Sequence, residues 1–209
     1  MKKRIIALCL ALLAGLAVLL PAGPAQAAGT AGTEPLPSSI YTGYKFWPYA
    51  TAWICVAVGD TTIPIAQAAQ AWNNASSGVA LDASSNCISD GYSPSTRMTI
   101  DTYSAADGRC TKITNQYYAT ADTFRRWTGS PANVVGWVNR YYEGCYGDSF
   151  ARAKSTSTVI GAILGLKTLS GSTWASRVMS LNSAVAWPSA STDGAALTAL
   201  YAPRYFGWY

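Results

Sequence analysis

The chain of 209 residues contains no histidine, and charged residues make up only 12% of it. Without imidazole, the chain cannot form the histidine-ligated zinc sites of most zinc hydrolases, or the Ser–His and Cys–His pairs of nucleophilic catalysis. No G-x-S-x-G sequence occurs either. After residue 27 the only adjacent basic pair is Arg125-Arg126, so the charge pattern also excludes a nucleic-acid-binding surface. No cofactor is expected.

The one long apolar run lies at the N-terminus and is typical of a targeting segment. Three basic residues at positions 2–4 precede the run Ile5–Leu20, and residues 25–27 have the A-x-A form of a cleavage site. An uncleaved membrane anchor is the alternative, but the run is short of the roughly 18–20 apolar residues that a span needs. We therefore expect a signal peptide (1–27), a flexible leader rich in small residues and proline (28–40), and a secreted mature chain without a membrane span.

The mature chain has four cysteines, and an even number in an exported protein indicates two disulfides. Three pairings are possible. The favoured bonds are Cys55–Cys87 and Cys110–Cys145, because each closes a loop of about 32–35 residues and stabilises the chain by about 3–4 kcal/mol in the chain-entropy model. A cysteine-ligated zinc site is the alternative, and the lack of any C-x-x-C pair disfavours it.

Residues 41–203 are predicted to form one α/β domain. Apolar residues recur from Ile65 to Trp72 at the spacing of an amphipathic helix, which Asn73-Asn74 is expected to end. The segment Glu143–Asp148 is predicted to be a turn, and residues 104–130 show no clear pattern. The order of strand, helix, strands and helix predicts a twisted, mostly parallel sheet. Strand patterns occupy residues 50–58, 78–82, 97–103 and 133–142.

The stretch Ser155–Thr168 is a second helix candidate, with an apolar stripe at helical spacing. Its glycines, Gly161 and Gly165, each reduce helix propensity by about 1 kcal/mol relative to alanine. Four residues apart on one helix face, they allow another segment to approach closely.

This stretch resembles the zinc-binding helix of the metzincin proteases, H-E-x-x-H-x-x-G-x-x-H, and more closely its matrixin-like form H-E-x-G-H-x-L-G-L-x-H. Four letters without chemical function are shared: Gly161, Leu164, Gly165 and Leu166. Every letter with chemical function differs. Thr158 and Ala162 stand in place of the two helical histidines, Val159 in place of the glutamate, and Thr168 in place of the third histidine.

The flanking sequence extends the resemblance from about Thr51 to Tyr201. Met179 lies where a metzincin has its Met-turn, and Asp193–Tyr201 has the form D-x-x-x-L-x-x-L-Y of the last matrixin-like helix. The segment Ala68–Trp72 is similar to the A-x-x-x-W element of the first helix. The resemblance implies a metzincin-like fold, in which a twisted, mostly parallel five-stranded sheet carries an N-terminal helix, a former active-site helix and a C-terminal helix.

The resemblance also implies an inactive homologue, because threonine and alanine are poor zinc ligands and Val159 cannot accept a proton from water. We expect an exported pseudoprotease, not an enzyme, whose former active site is apolar or collapsed. Its partner would be a protein or peptide bound by strand addition. A zinc peptidase with a substituted metal site is an alternative, with these carboxylates as candidate ligands: Asp101, Asp107, Glu143 and Asp148.

A further alternative is an extracellular structural or surface-binding module that uses aromatic side chains, with a glycan as the possible ligand. The candidate aromatic residues are Trp127, Trp137, Tyr141, Tyr142, Tyr146 and those of the C-terminal tail, residues 204–209. Paired carboxylates for glycoside hydrolysis would have to be Glu143 and Asp148. Both are interpreted instead as turn residues beside Cys145.

Overall fold

The structure is a computed structural model that describes residues 53–92, 96–114, 134–170 and 174–201. The predicted signal peptide, the leader, the first residues of the domain and the aromatic tail lie outside these ranges, as does Trp127.

The described residues form five strands and four helices, in a mixed α/β arrangement. The strands are β1 (Trp53–Val58), β2 (Ala80–Ser84), β3 (Arg97–Tyr103), β4 (Thr111–Thr114) and β5 (Val134–Asn139). The helices are α1 (Ile65–Ala75), α2 (Glu143–Tyr146), α3 (Ser149–Ile163) and α4 (Asp193–Tyr201). None of these helices has both the length and the apolar character that crossing a membrane requires.

The strands form one sheet in the order β2-β1-β3-β5-β4. Strand β1 pairs in parallel with β2 and β3, and β3 pairs in parallel with β5. Strand β4 is antiparallel to β5 and lies at the edge. Helix α1 provides the crossover that the parallel pair β1–β2 needs. The expected five-stranded, mostly parallel sheet is therefore present.

The core lies on one face of this sheet. In β3 the residues alternate, so that Met98 and Ile100 are fully buried while Arg97, Thr99 and Asp101 are half-buried. Helices α1 and α3 cover this face together. The indole Nε1 of Trp72 in α1 donates a hydrogen bond of 3.0 Å to the carbonyl oxygen of Ser157 in α3. This bond satisfies the one polar atom of a large buried side chain.

Two local predictions are wrong. Helix α1 does not end at Asn73-Asn74 but continues to Ala75. The Asn73 side chain instead contacts strand β2. Its Nδ2 donates a hydrogen bond to the carbonyl oxygen of Leu81 and its Oδ1 accepts one from the N–H of Leu81, both at 2.8 Å. This tertiary partner replaces the local capping role that asparagine usually has. Similarly, Glu143–Asp148 is not only a turn, because its first four residues form the short helix α2.

Both favoured disulfides are present. Cys55–Cys87 joins β1 to the segment after β2, with a sequence separation of 32, and Cys110–Cys145 joins the start of β4 to α2, with a separation of 35. Each bond therefore ties a peripheral segment to the sheet. Two disulfides are characteristic of proteins that mature in an oxidising compartment.

Candidate functional site

Helix α3 contains three of the four positions at which the chain departs from the zinc ligands and general base of the zinc-helix pattern. It begins at Ser149, where the Asp148 side chain accepts a hydrogen bond of 2.7 Å from the N–H of Ala151 and caps the helix. Further along, Thr158 and Ala162 are half-buried one turn apart, on the same side of α3.

Val159, the residue after Thr158, is fully buried. It packs against β5 at Gly136, where an added Cβ would lie 2.7 Å from Val159 Cγ2. Its side chain belongs to the helix–sheet core, which has no room for the charged carboxylate that the metzincin pattern has at this position.

The C-terminus of α3 has the geometry that its second glycine suggests. The helix ends at Ile163, and Gly165 follows in the left-handed region with φ of 105°. The N–H of Leu166 then donates to the carbonyl of Gly161 at 3.0 Å, which closes the last turn. Beyond this point the chain turns away from the helix and reaches Thr168, which is exposed.

The segment 177–181 joins the remaining positions. Thr158 Oγ1 donates to the carbonyl of Val178 at 3.0 Å, and the N–H of Leu169 donates to the carbonyl of Met179 at 2.9 Å. Thr158 and the residue after Thr168 are thus bonded to adjacent residues of one segment. The structure therefore brings Thr158 and Leu169, the neighbour of Thr168, to the segment that contains Met179.

Met179 is buried beneath α3, and Gly161 allows this contact. An added Cβ at Gly161 would lie 2.6 Å from Met179 Sδ and 2.6 Å from the Trp72 ring. The glycine cost in helix propensity is therefore offset by close packing of α3 on both α1 and the 177–181 segment.

Asp193 is a buried carboxylate whose role sequence analysis missed. Only 1% exposed at the start of α4, it accepts a hydrogen bond of 2.6 Å from the N–H of Val178 and lies 3.8 Å from Arg177 Nη1. Burial raises its pKa above the ordinary value of 3.8, and the Val178 and Arg177 contacts partly oppose this effect. Asp193 therefore ties α4 to the segment that contains Met179. No signal in the sequence indicates this partner, 15 residues away.

Three of the four carboxylates proposed as substitute metal ligands accept local hydrogen bonds. Asp148 caps α3, Asp101 accepts from the N–H of Thr102, and Asp107 accepts from Tyr103 Oη and the N–H of Arg109. The described ranges contain no group of three or more His, Cys, Asp or Glu side chains that could hold a metal ion.

The edge strand β4 is the other part of the candidate site. The N–H of Asn139 donates to the carbonyl of Cys110 at 2.7 Å, which makes Cys110–Asn139 a hydrogen-bonded pair. Because such pairs alternate in an antiparallel ladder, the N–H and C=O groups of Thr111 and Ile113 point away from β5. In the part of the chain that the structure describes, no strand pairs with this outer edge.

The aromatic residues near β4 are mostly held by internal contacts. Trp137 Nε1 donates to Thr114 Oγ1 at 2.9 Å, and Lys112 Nζ lies 3.7 Å from the centre of the Tyr103 ring. Burial, with the hydrogen bond to Asp107, raises the pKa of Tyr103 to about 12. Tyr141 is more exposed and packs edge-on against Tyr142, with ring centres 5.0 Å apart.

Comparisons with known proteins identify no family. No protein-family model matches the chain, and no curated protein matches it. One solved structure with partial likeness is the "GM1 bound form of the ECX AB5 holotoxin", with 12% sequence identity and a TM-score of 0.34. The likeness covers 64% of this chain and 64% of that one, so this chain spans less than two thirds of its length. At this level the likeness carries no argument about fold or function.

Proposed function

We propose that the protein is a secreted, non-hydrolytic protein with a metzincin-like fold that binds an extended peptide along β4. The single observation that carries the proposal is the outward-facing backbone edge of Thr111 and Ile113. An extended peptide can add to such an edge as a further strand, and main-chain hydrogen bonds then supply much of the affinity. This mode of binding requires no metal ion.

Several contacts support the metzincin-like ancestry. Edge strand β4 and last strand β5 precede α3 in the order that the family has, and Gly165 turns the chain at the end of the helix. Met179 lies beneath α3 at Gly161, in the place of a Met-turn. These contacts fall at the residues that the chain shares with the family pattern, which supports a scaffold kept without its zinc ligands.

The proposed lack of hydrolysis depends on side-chain chemistry. The chain has no histidine, and no Asp or Glu lies between Phe150 and Thr192. Val159, in the position of the general base, is buried against Gly136 and has no group that can carry a proton. The N-terminal targeting pattern and the two disulfides support secretion.

The test uses a peptide selected against the mature chain from a phage-displayed random library. Its affinity is measured by fluorescence anisotropy, and backbone protection by hydrogen exchange. We expect protection of the Thr111 and Ile113 amides on binding. Thr111→Pro removes an outward donor while leaving the β4–β5 bonds intact, so it should weaken binding by about tenfold or more with little change in melting temperature.

The matched control is Lys112→Ala, which changes the neighbouring side chain and keeps every backbone donor. Its affinity should stay within about twofold of the wild type, because the main chain supplies the binding energy. Equal binding by Thr111→Pro and wild type would contradict strand addition. Chelator-sensitive cleavage of casein by the purified mature chain, with stoichiometric zinc, would contradict the non-hydrolytic assignment.

A further inference from the structure

We propose a second binding site, for a neutral carbohydrate, in a groove between α1 and residues 187–190. This groove is called here the Trp187 groove. It is a shallow groove, open to solvent, with a volume of about 670 Å³. Its lining residues are Ala66, Gln67, Gln70, Ala71, Asn74, Ala75, Trp187, Pro188 and Ala190. The proposal is independent of peptide binding at β4, because none of these residues belongs to β4 or α3.

The charge of the groove determines the class of ligand. None of its lining side chains carries a charge, and the polar ones are all primary amides. A charged ligand would lose hydration here without gaining an ion pair, which is unfavourable. A neutral ligand with many hydroxyl groups has no such loss, because amides can replace the water molecules that it gives up.

The amides lie in a row on α1. Gln67, Gln70 and Asn74 occupy positions i, i+3 and i+7, so they share one helix face, opposite the buried face that contains Trp72. Gln70 Nε2 donates to Asn74 Oδ1 at 2.9 Å, which orients both groups. Each primary amide has two N–H donors and a carbonyl acceptor. This adjacent donor and acceptor matches a sugar hydroxyl, which both donates and accepts.

The other wall of the groove presents an aromatic surface. Trp187 is 37% exposed, so part of its indole is available to a ligand while the rest is held by the protein. The electron-rich face of an indole attracts the partially positive hydrogens at the edge of a neighbouring group. The axial C–H groups of a pyranose ring form such a surface, while its hydroxyls lie at the periphery and can reach the α1 amides.

The two walls are held at a fixed separation. Gly194, in the first turn of α4, contacts the backbone and side chain of Ala75 so closely that no Cβ would fit. Ser76 Oγ and Thr198 Oγ1 are hydrogen-bonded at 3.0 Å in the same interface. Pro188 is buried and restricts the backbone beside Trp187. A site whose walls are already in place loses less entropy when a ligand binds.

A peptide fits the Trp187 groove less well than a sugar. The backbone donors and acceptors of α1 are consumed by its own hydrogen bonds, so an extended peptide cannot add a strand there. A helical partner would need large apolar side chains to bury, and the apolar lining is mostly alanine. The amides and the single exposed indole therefore favour a carbohydrate.

The test is isothermal titration calorimetry of the mature chain with four neutral oligosaccharides: cellohexaose, xylohexaose, chitohexaose and maltohexaose. We expect at least one of them to bind, with an affinity that does not change with salt, because no charge is involved. Trp187→Ala should weaken this binding by about tenfold or more. The control is Trp53→Ala, which removes a tryptophan that is 65% exposed on β1, outside the groove, and should leave affinity within about twofold.

A second variant keeps the test valid if Trp187→Ala does not fold. Gln70→Leu changes an exposed helix side chain of similar size, so α1 should remain folded while sugar affinity falls by about tenfold. Deletion of residues 204–209 tests whether the aromatic tail competes for the groove, and tighter sugar binding after deletion supports the site. The proposal is overturned if neither the mature chain nor the chain without residues 204–209 binds any of the four sugars. It is also overturned if Trp187→Ala and Gln70→Leu both bind as the wild type does.

Discussion

The packing of α3 on the sheet can be tested at Gly136 and Val159. An alanine methyl at position 136 would lie 2.7 Å from Val159 Cγ2 and 3.0 Å from the Cδ1 atoms of Ile100 and Ile163. Overpacking of this kind costs about 1–3 kcal/mol, and replacing a strand glycine by alanine returns roughly 0.5–1 kcal/mol. We expect Gly136→Ala to lower the free energy of unfolding by about 1–2 kcal/mol.

Val159→Ala acts on the other side of the same contact. It removes two methyl groups from a fully buried side chain, worth about 1.6 kcal/mol at roughly 0.8 kcal/mol each. With the cavity term the loss should be about 2–3 kcal/mol. In the double variant the alanine methyl at position 136 occupies the space left by the missing methyl groups of Val159. The combined loss should therefore be smaller than the sum by about 1 kcal/mol or more.

The assay is urea unfolding with both disulfides intact, and the free energies are compared at an unchanged m-value. The control pairs Gly136→Ala with Ile160→Val, a buried residue of α3 that is not among the nearest contacts of Gly136. Those two losses should add. Additive losses for the Gly136 and Val159 pair would refute the argument, because they would mean that Val159 does not pack on β5.

Three further predictions concern the same region. Val159→Glu, which introduces the glutamate of the metzincin pattern, should lower the unfolding free energy by about 3–5 kcal/mol because it buries an unpaired carboxylate, as urea unfolding would show. Gly165→Ala should lower it by roughly 1–2 kcal/mol, since the φ of 105° there is strained for alanine; Gly144→Ala, at an ordinary helical glycine with open space around it, is the control. Burial raises the pKa of Asp193, so protonation of this carboxylate stabilises the folded state. This stabilisation is fully present below the ordinary pKa of 3.8 and is lost as pH rises through the raised pKa. Wild type should therefore gain stability relative to Asp193→Asn between about pH 7 and pH 4 in thermal unfolding measurements; parallel pH profiles for the two proteins would contradict this.

Much of the fold follows from local patterns in the sequence. The alternation of Met98 and Ile100 predicts β3 at its observed bounds, and the helical spacing from Ile65 to Trp72 predicts most of α1. Strand β4 was not predicted. Its sequence, Thr-Lys-Ile-Thr, shows no clear apolar alternation, and all four residues are half-buried. They form a strand because β5 supplies their hydrogen-bond partners.

The sequence by itself determined the chemistry that this protein lacks. A chain without histidine cannot assemble an imidazole-ligated metal site in any fold, because the ligand atoms do not exist. The D-x-x-x-L-x-x-L-Y pattern, taken from the resemblance to the last matrixin-like helix, also predicts α4 at its observed bounds.

Only the tertiary structure decided where the key side chains point. Helical spacing leaves the direction of Val159 open, and the packing of α3 on Gly136 places its side chain in the core, while Thr158 and Ala162 stay half-buried. In the same way, contacts between distant segments decide that Asp193 accepts a hydrogen bond from Val178. They also decide that Trp187 and the α1 amides line the same groove. Such contacts depend on how the elements pack, and a pattern in one element carries no information about the surface that another element brings to it.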